Sequence, residues 1–211
     1  MSKNKLARFR ELPSFENVVN NPAEYKGRWK HDFFKNDNPI TLELGCGKGE
    51  YSLELAQRLP KQNFIGLDLK GARLWVAAIK GIALNLKNVA FVRMHIEKIN
   101  EIFDINEVDE IWLPFPDPYP QKPNKRLVSP RYLGYYRGFL NENASIHFKT
   151  DDTNYYVASL RVLKAENCTI YKKSDDLYQA KKINELTKIK TSFELKHLAL
   201  DKKIKYICFG L

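Results

Sequence analysis

The chain has 211 residues, 44% hydrophobic and 12% aromatic, enough for one sizeable core. Lys plus Arg total 35 against 25 Asp plus Glu, a formal net charge of +10 that favours a polyanionic partner, nucleic acid first. Composition and spacing exclude a membrane helix, a disulfide framework and a zinc site: no apolar run is long enough, three cysteines (Cys46, Cys168, Cys208) lie far apart, and His31, His95, His147 and His197 lack ligand spacing. No metal is expected. The N-terminus MSKNKLARFR lacks the apolar stretch of a secretory signal, which reads as cytoplasmic.

The basic residues cluster. Residues 1–10 carry Lys3, Lys5, Arg8 and Arg10 without an acid, and 121–131 carry Lys122, Lys125, Arg126 and Arg131 without one. Residues 181–205 hold eight lysines against Glu185, Glu194 and Asp201. Three acid-poor runs on a body otherwise slightly acidic suggest a footprint for phosphates. Residues 1–30 are expected to form a basic, mobile arm and 31–211 a single domain.

In chain order, strands are expected at Ile40 to Leu44, Phe64 to Asp68, Val89 to Arg93, Glu110 to Phe115 and Ser145 to Lys149. Helical spacing occupies Tyr51 to Leu59, Ala72 to Leu86, Tyr132 to Leu140 and Tyr155 to Leu163. Cys168 to Tyr171 and Lys203 to Phe209 add two strands, the last alternating as an edge or half-exposed strand would. Strand and helix in turn predict an α/β fold, a mostly parallel sheet of seven strands with helices on both faces.

Glu43-Leu44-Gly45-Cys46-Gly47-Lys48-Gly49-Glu50 lies between the first strand and a helix, where glycines allow a tight turn and close ligand approach. A pyrophosphate site wants G-x-G-x-x-G; here the spacing is G-x-G-x-G, and Glu50 replaces the last glycine. That disfavours an NAD-dependent dehydrogenase and favours a nucleoside ligand with a positive or zwitterionic group. Asp68 ends the second strand 19 residues after Gly49, where such folds bind ribose hydroxyls. A tight turn with Asp68 as a helix cap is the plainer reading. Turn and acid together resemble the first two motifs of class I S-adenosylmethionine-dependent methyltransferases, a Rossmann-like fold. The resemblance implies that Glu43, Gly45, Gly47 and Gly49 border the methionine part, Asp68 the ribose and His95 the adenine.

The fourth strand runs into Leu113-Pro114-Phe115-Pro116-Asp117-Pro118-Tyr119-Pro120, followed by Gln121-Lys122-Pro123-Asn124-Lys125-Arg126. Flanking prolines restrict the backbone and hold Asp117 ready at a strand's carboxyl end, beside the expected cofactor methyl. This loop is similar to the Phe-x-Asp-Pro-Trp stretch, then Lys and Arg, of the bacterial tRNA (guanine-N7-)-methyltransferase family. Ile146-His147-Phe148-Lys149-Thr150-Asp151 and Thr191-Ser192-Phe193-Glu194 resemble two further motifs of that family. The chain departs from the family at His95, usually Asn, at Tyr119, usually Trp, and at Gln121, usually Lys; its basic run is one Arg shorter. The resemblance implies methyl transfer from S-adenosylmethionine, with S-adenosylhomocysteine as product, to N7 of guanine 46 in the tRNA variable loop. It implies Asp117 as the catalytic carboxylate, also bordering the cofactor, with Gln121, Lys122, Lys125, Arg126, Asp151, Thr191 and Glu194 on the substrate. Thr191-x-x-Glu194 also reads as a capping box. The partner implied is tRNA, not a membrane, and a monomer or homodimer is expected. The rivals are a methyltransferase of exocyclic amines, whose loop carries one more proline, and a non-catalytic tRNA-binding protein.

Overall fold

The computed structural model describes residues 3–180 and 184–211. Lys181 and Lys182 of the third basic run lie outside them. The described residues hold eight strands: β1 (Val18–Val19), β2 (Ile40–Leu44), β3 (Asn63–Asp68), β4 (Val89–Arg93), β5 (Val108–Pro114), β6 (Leu140–Thr150), β7 (Thr169–Ser174) and β8 (Lys205–Gly210). They form one sheet in the order β1-β4-β3-β2-β5-β6-β8-β7. All pairings from β1 to β6 are parallel, and β8 runs antiparallel to both β6 and β7. Without the two-residue β1 these are the seven expected strands, joined by α1 (Lys3–Glu11), α2 (Glu50–Arg58), α3 (Gly71–Ala83), α4 (Pro130–Arg137), α5 (Thr153–Ala165) and α6 (Ser192–Leu198).

β2 to β4 are near-continuous apolar runs because both faces are covered. On one face Tyr51, Leu55, Leu74 and Ala78 from α2 and α3 pack with Phe64, Phe91 and Trp112. On the other, Leu133 and Tyr136 of α4 and Tyr155 and Leu163 of α5 pack with Leu42, Ile65, Ile111 and Phe148. The chain leaves β4 and re-enters at β5, on the far side of β2, so strand order reverses between β2 and β5. A crevice for ligands opens at the carboxyl ends of strands flanking such a switch.

The structure redraws two expectations. The basic N-terminal run is the helix α1, lying against α3: Arg8 sits 4.6 Å from the Trp75 ring centroid and Trp75 Nε1 donates to Glu11 Oε2 at 2.8 Å. Leu12, Val18, Val19 and Trp29 are core residues, so residues 12–30 belong with the sheet rather than with an arm. β8 is an interior strand, with β7 as the exposed edge. Its alternation misled because Lys205 is buried, its amine donating to the carbonyls of Asp151 and Lys203 at 3.1 Å each.

Candidate functional site

The glycine turn leaves β2 with Gly45, Gly47 and Gly49 at φ of +78, +57 and +65°, a region that disfavours any side chain. Backbone N–H groups of Gly45 and Cys46 donate to Leu67 O at 2.8 and 2.9 Å, and Gly47 N to Asp68 Oδ2 at 2.8 Å. The three glycines differ in their surroundings. A Cβ on Gly49 would stand 2.8 Å from Ala77 Cβ and 2.9 Å from Phe91 Cε1, whereas among the described residues one on Gly45 would meet nothing within 4 Å and one on Gly47 only the Gly45 carbonyl. Gly49 is thus demanded by packing, while Gly45 and Gly47 border an open cradle.

Asp68 closes the cradle at the end of β3, each oxygen receiving one backbone N–H, from Gly47 and from Lys70 (2.7 Å). Each oxygen keeps a further lone pair for a hydroxyl donor. Asp68 is therefore both the turn's brace and an available acceptor. Glu43, expected beside the same ligand, is buried and accepts from the Ser52 backbone N–H (2.9 Å) and hydroxyl, joining β2 to α2. Burial pushes its carboxyl up to about 8. His95 follows β4 with 63% of its side chain exposed, its Nδ1 4.0 Å from Glu97 Oε2.

β5 delivers Asp117. Phe115 N donates to Lys149 O at 2.9 Å where the loop begins. Phe115 and Tyr119 both have positive φ, +55 and +37°, costly for aromatic residues; Phe115 is held there by its bond to Lys149 O and by its ring packing 5.1 Å from that of Phe193. Asp117 stands exposed between them, and burial together with its carboxylate pushes the Tyr119 phenol up. Arg126 donates from Nε to Pro118 O at 2.6 Å and lies 5.1 Å from the Tyr155 ring, so it braces this loop. Gln121, Lys122 and Lys125 are exposed on the same segment.

Asp151 follows β6. Its Oδ2 accepts from Lys202 Nζ (3.1 Å) and pairs with His197 Nδ1 (2.8 Å). Burial raises its carboxyl, but Lys202 and His197 outweigh that and hold it below the usual range. Thr191 caps α6, its hydroxyl accepting from Glu194 N at 3.1 Å. Glu194 does not complete the capping box. It points inward, fully buried, with Oε2 2.8 Å from Lys149 Nζ and Oε1 accepting from the Tyr178 hydroxyl at 2.7 Å. Its complete burial, with a partner already on each oxygen, stands against the expectation of a substrate contact.

The glycine turn, Asp68, His95, Asp117 and Asp151 thus come from the carboxyl ends of five adjacent parallel strands and share one rim. Three participants were not expected. Lys149 anchors residues 187–194, Ser52 holds Glu43, and Glu50 accepts from Ser192 N at 2.6 Å and from its hydroxyl. Glu50 ties α6 to the glycine turn. Chain separation hides it, since the two residues lie 142 apart.

Residues 37–207 match a family model described as a putative methyltransferase. A tRNA (guanine-N(7)-)-methyltransferase of Christiangramia forsetii is 43% identical, covering 100% of this chain and 99% of its own length. One of Bacteroides fragilis is 41% identical over 100% of this chain and 87% of its own. Among solved structures, the 16S rRNA methyltransferase KamB superposes with a TM-score of 0.67 at 13% identity, covering 88% of this chain and 93% of that one, a likeness of fold.

Proposed function

Because the chain belongs to the tRNA (guanine-N(7)-)-methyltransferase family, we propose that it transfers a methyl group from S-adenosylmethionine to N7 of a variable-loop guanine, position 46, in tRNA. The observation that carries the reading is the pairing of an open glycine cradle with an exposed aspartate on a proline-flanked, Arg126-braced loop across the strand-order switch. The cradle suits the cofactor: the main chain at Gly45 and Gly47, free of Cβ atoms, would border the methionine part, Asp68 would accept from the ribose and exposed His95 would lie toward the adenine. When bound, S-adenosylmethionine supplies an electrophilic methyl group on a sulfonium, leaving S-adenosylhomocysteine.

Guanine N7 carries a free lone pair, so attack needs no prior deprotonation. This chain's residues therefore work by placement and electrostatics. Asp117 accepts hydrogen bonds from the guanine N1–H and amino group, which enriches the ring and stabilises the cationic product. The prolines and the Arg126 brace fix that carboxylate before substrate arrives. Asp151, kept ionised by Lys202 and His197, lines the substrate side. Gln121, Lys122, Lys125 and the Thr191 segment meet the tRNA, Arg126 acting through the loop it braces. Displacing a stacked base costs a few kcal/mol, which phosphate contacts repay. We place this activity in the cytoplasm, in a monomer or homodimer; no helix among the described residues is long and apolar enough to cross a membrane.

Calorimetry with S-adenosylmethionine and single-turnover methylation of unmodified tRNA test the assignment. Submicromolar to micromolar cofactor binding with methyl incorporation into tRNA supports it; no cofactor binding refutes it.

A further inference from the structure

Lys149 is among the largest fully buried side chains, and its partners are unusual. Its Nζ lies 2.8 Å from Glu194 Oε2, 2.9 Å from Thr187 O and 3.1 Å from Ile189 O. A protonated amine has three N–H donors, and three acceptors meet them. All three belong to residues 187–194. Tyr51 and Phe115 flank the amine, ring centroids 5.3 and 5.6 Å away. The same residue's carbonyl receives the N–H of Phe115, where the loop bearing Asp117 begins. One lysine at the end of β6 thus holds the acidic loop through its main chain and the C-terminal segment through its side chain.

We propose that Lys149 is the positioning residue of the substrate side, locking residues 187–194 against the Asp117 loop, and that Glu194 serves through Lys149 instead of touching RNA. The proposal rests on the reading that this rim receives a tRNA guanine. A device for stability alone would tolerate an apolar replacement of the pair, since buried ion pairs exchanged for hydrophobic ones are often neutral. Here an apolar pair also strips the Thr187 and Ile189 carbonyls of their donor, so the segment loosens even in a folded protein.

The test compares the wild-type chain with Lys149→Met/Glu194→Leu and with Glu194→Gln, which keeps an acceptor for the amine. For the double variant we expect cofactor affinity within about threefold of wild type and a KM for tRNA raised at least about tenfold, with the smaller effect on kcat. Amide exchange over 186–198 should quicken by at least about tenfold while β2 to β5 stay protected. Glu194→Gln should keep the wild-type KM within about fivefold, which a direct carboxylate contact to guanine would not allow. Wild-type KM and exchange in the double variant would overturn the proposal, as would a KM for Glu194→Gln as poor as the double variant's with wild-type exchange over 186–198, the mark of a direct contact to RNA instead of a loosened segment. Should the double variant not fold, Glu194→Gln alone decides. A wild-type chain that methylates no tRNA defeats the functional reading, while the exchange comparison still decides whether Lys149 locks the segment.

Discussion

Gly45 and Gly49 stand four residues apart in one turn, and replacing each by alanine separates packing from ligand approach. Both have positive φ, so alanine costs about 1–2 kcal/mol of backbone strain at either site. At Gly49 the new methyl also falls 2.8 Å from Ala77 Cβ and 2.9 Å from Phe91 Cε1, in a core held on both sides by β4 and α3. Overpacking of that kind adds about 1–3 kcal/mol, giving about 2–5 kcal/mol for Gly49→Ala. For a domain of this size the melting temperature should fall by about 4–20 °C, against about 2–8 °C for Gly45→Ala. Cofactor affinity should order the other way. The Gly45 methyl projects into the cradle and should weaken S-adenosylmethionine binding by at least about tenfold, more than Gly49→Ala does once folded. Circular dichroism melts and calorimetry below the melting range read both quantities. Wild-type cofactor affinity in Gly45→Ala would refute the cradle, and a wild-type melt in Gly49→Ala would refute the packing argument.

Asp117→Asn keeps the loop's shape and removes its charge, so cofactor binding should hold while kcat falls by about 10²-fold or more; near wild-type turnover removes Asp117 from the mechanism. Lys122→Ala and Lys125→Ala should each lower the slope of log K for tRNA against log salt by about 0.7–0.9, measured by filter binding; unchanged slopes would mean neither touches a phosphate. His147 is buried between Glu110 Oε1 (2.7 Å from Nε2) and the Tyr206 hydroxyl (2.7 Å from Nδ1), stacked on Trp112. Burial lowers its basicity, but the Cys208 and Glu110 side chains outweigh that and raise it to about 9. Its folded value lies above the ordinary 6.5, so its contribution, about 3 kcal/mol, is complete below pH 6.5 and is lost as pH rises through 9. Thermal melts from pH 6 to 10 should decline in wild type and decline less in Glu110→Gln; parallel curves would remove His147 as the cause.

What the sequence made legible was local. The bounds of β2 and β4 are legible to the residue because buried parallel strands leave near-continuous apolar runs between turn residues. The glycine turn and the proline loop were found for the same reason, since each states its backbone requirement within nine residues. α1 escaped because its basic residues hide Phe9 and its neighbours, which engage α3 and Arg93; Arg93 stacks 4.4 Å from the Phe9 ring. The Lys149–Glu194 pair lies 45 residues apart, and neither residue announces burial: by residue type alone, a lysine at a strand end and a glutamate in a short helix read as surface. Arg126 read as a phosphate ligand because charge alone cannot distinguish a guanidinium facing RNA from one folded back on its own loop. Glu43 shows the converse, a carboxylate in a ligand motif whose bonds, in the structure, go to Ser52.

The most direct measurement is the identity of the methylated nucleoside. Unmodified tRNA and labelled S-adenosylmethionine are incubated with the enzyme, the tRNA is digested, and the product is assigned by mass spectrometry. The expected product is 7-methylguanosine, abolished when the variable-loop guanine is replaced. N6-methyladenosine, or 7-methylguanosine that survives the replacement, would contradict it.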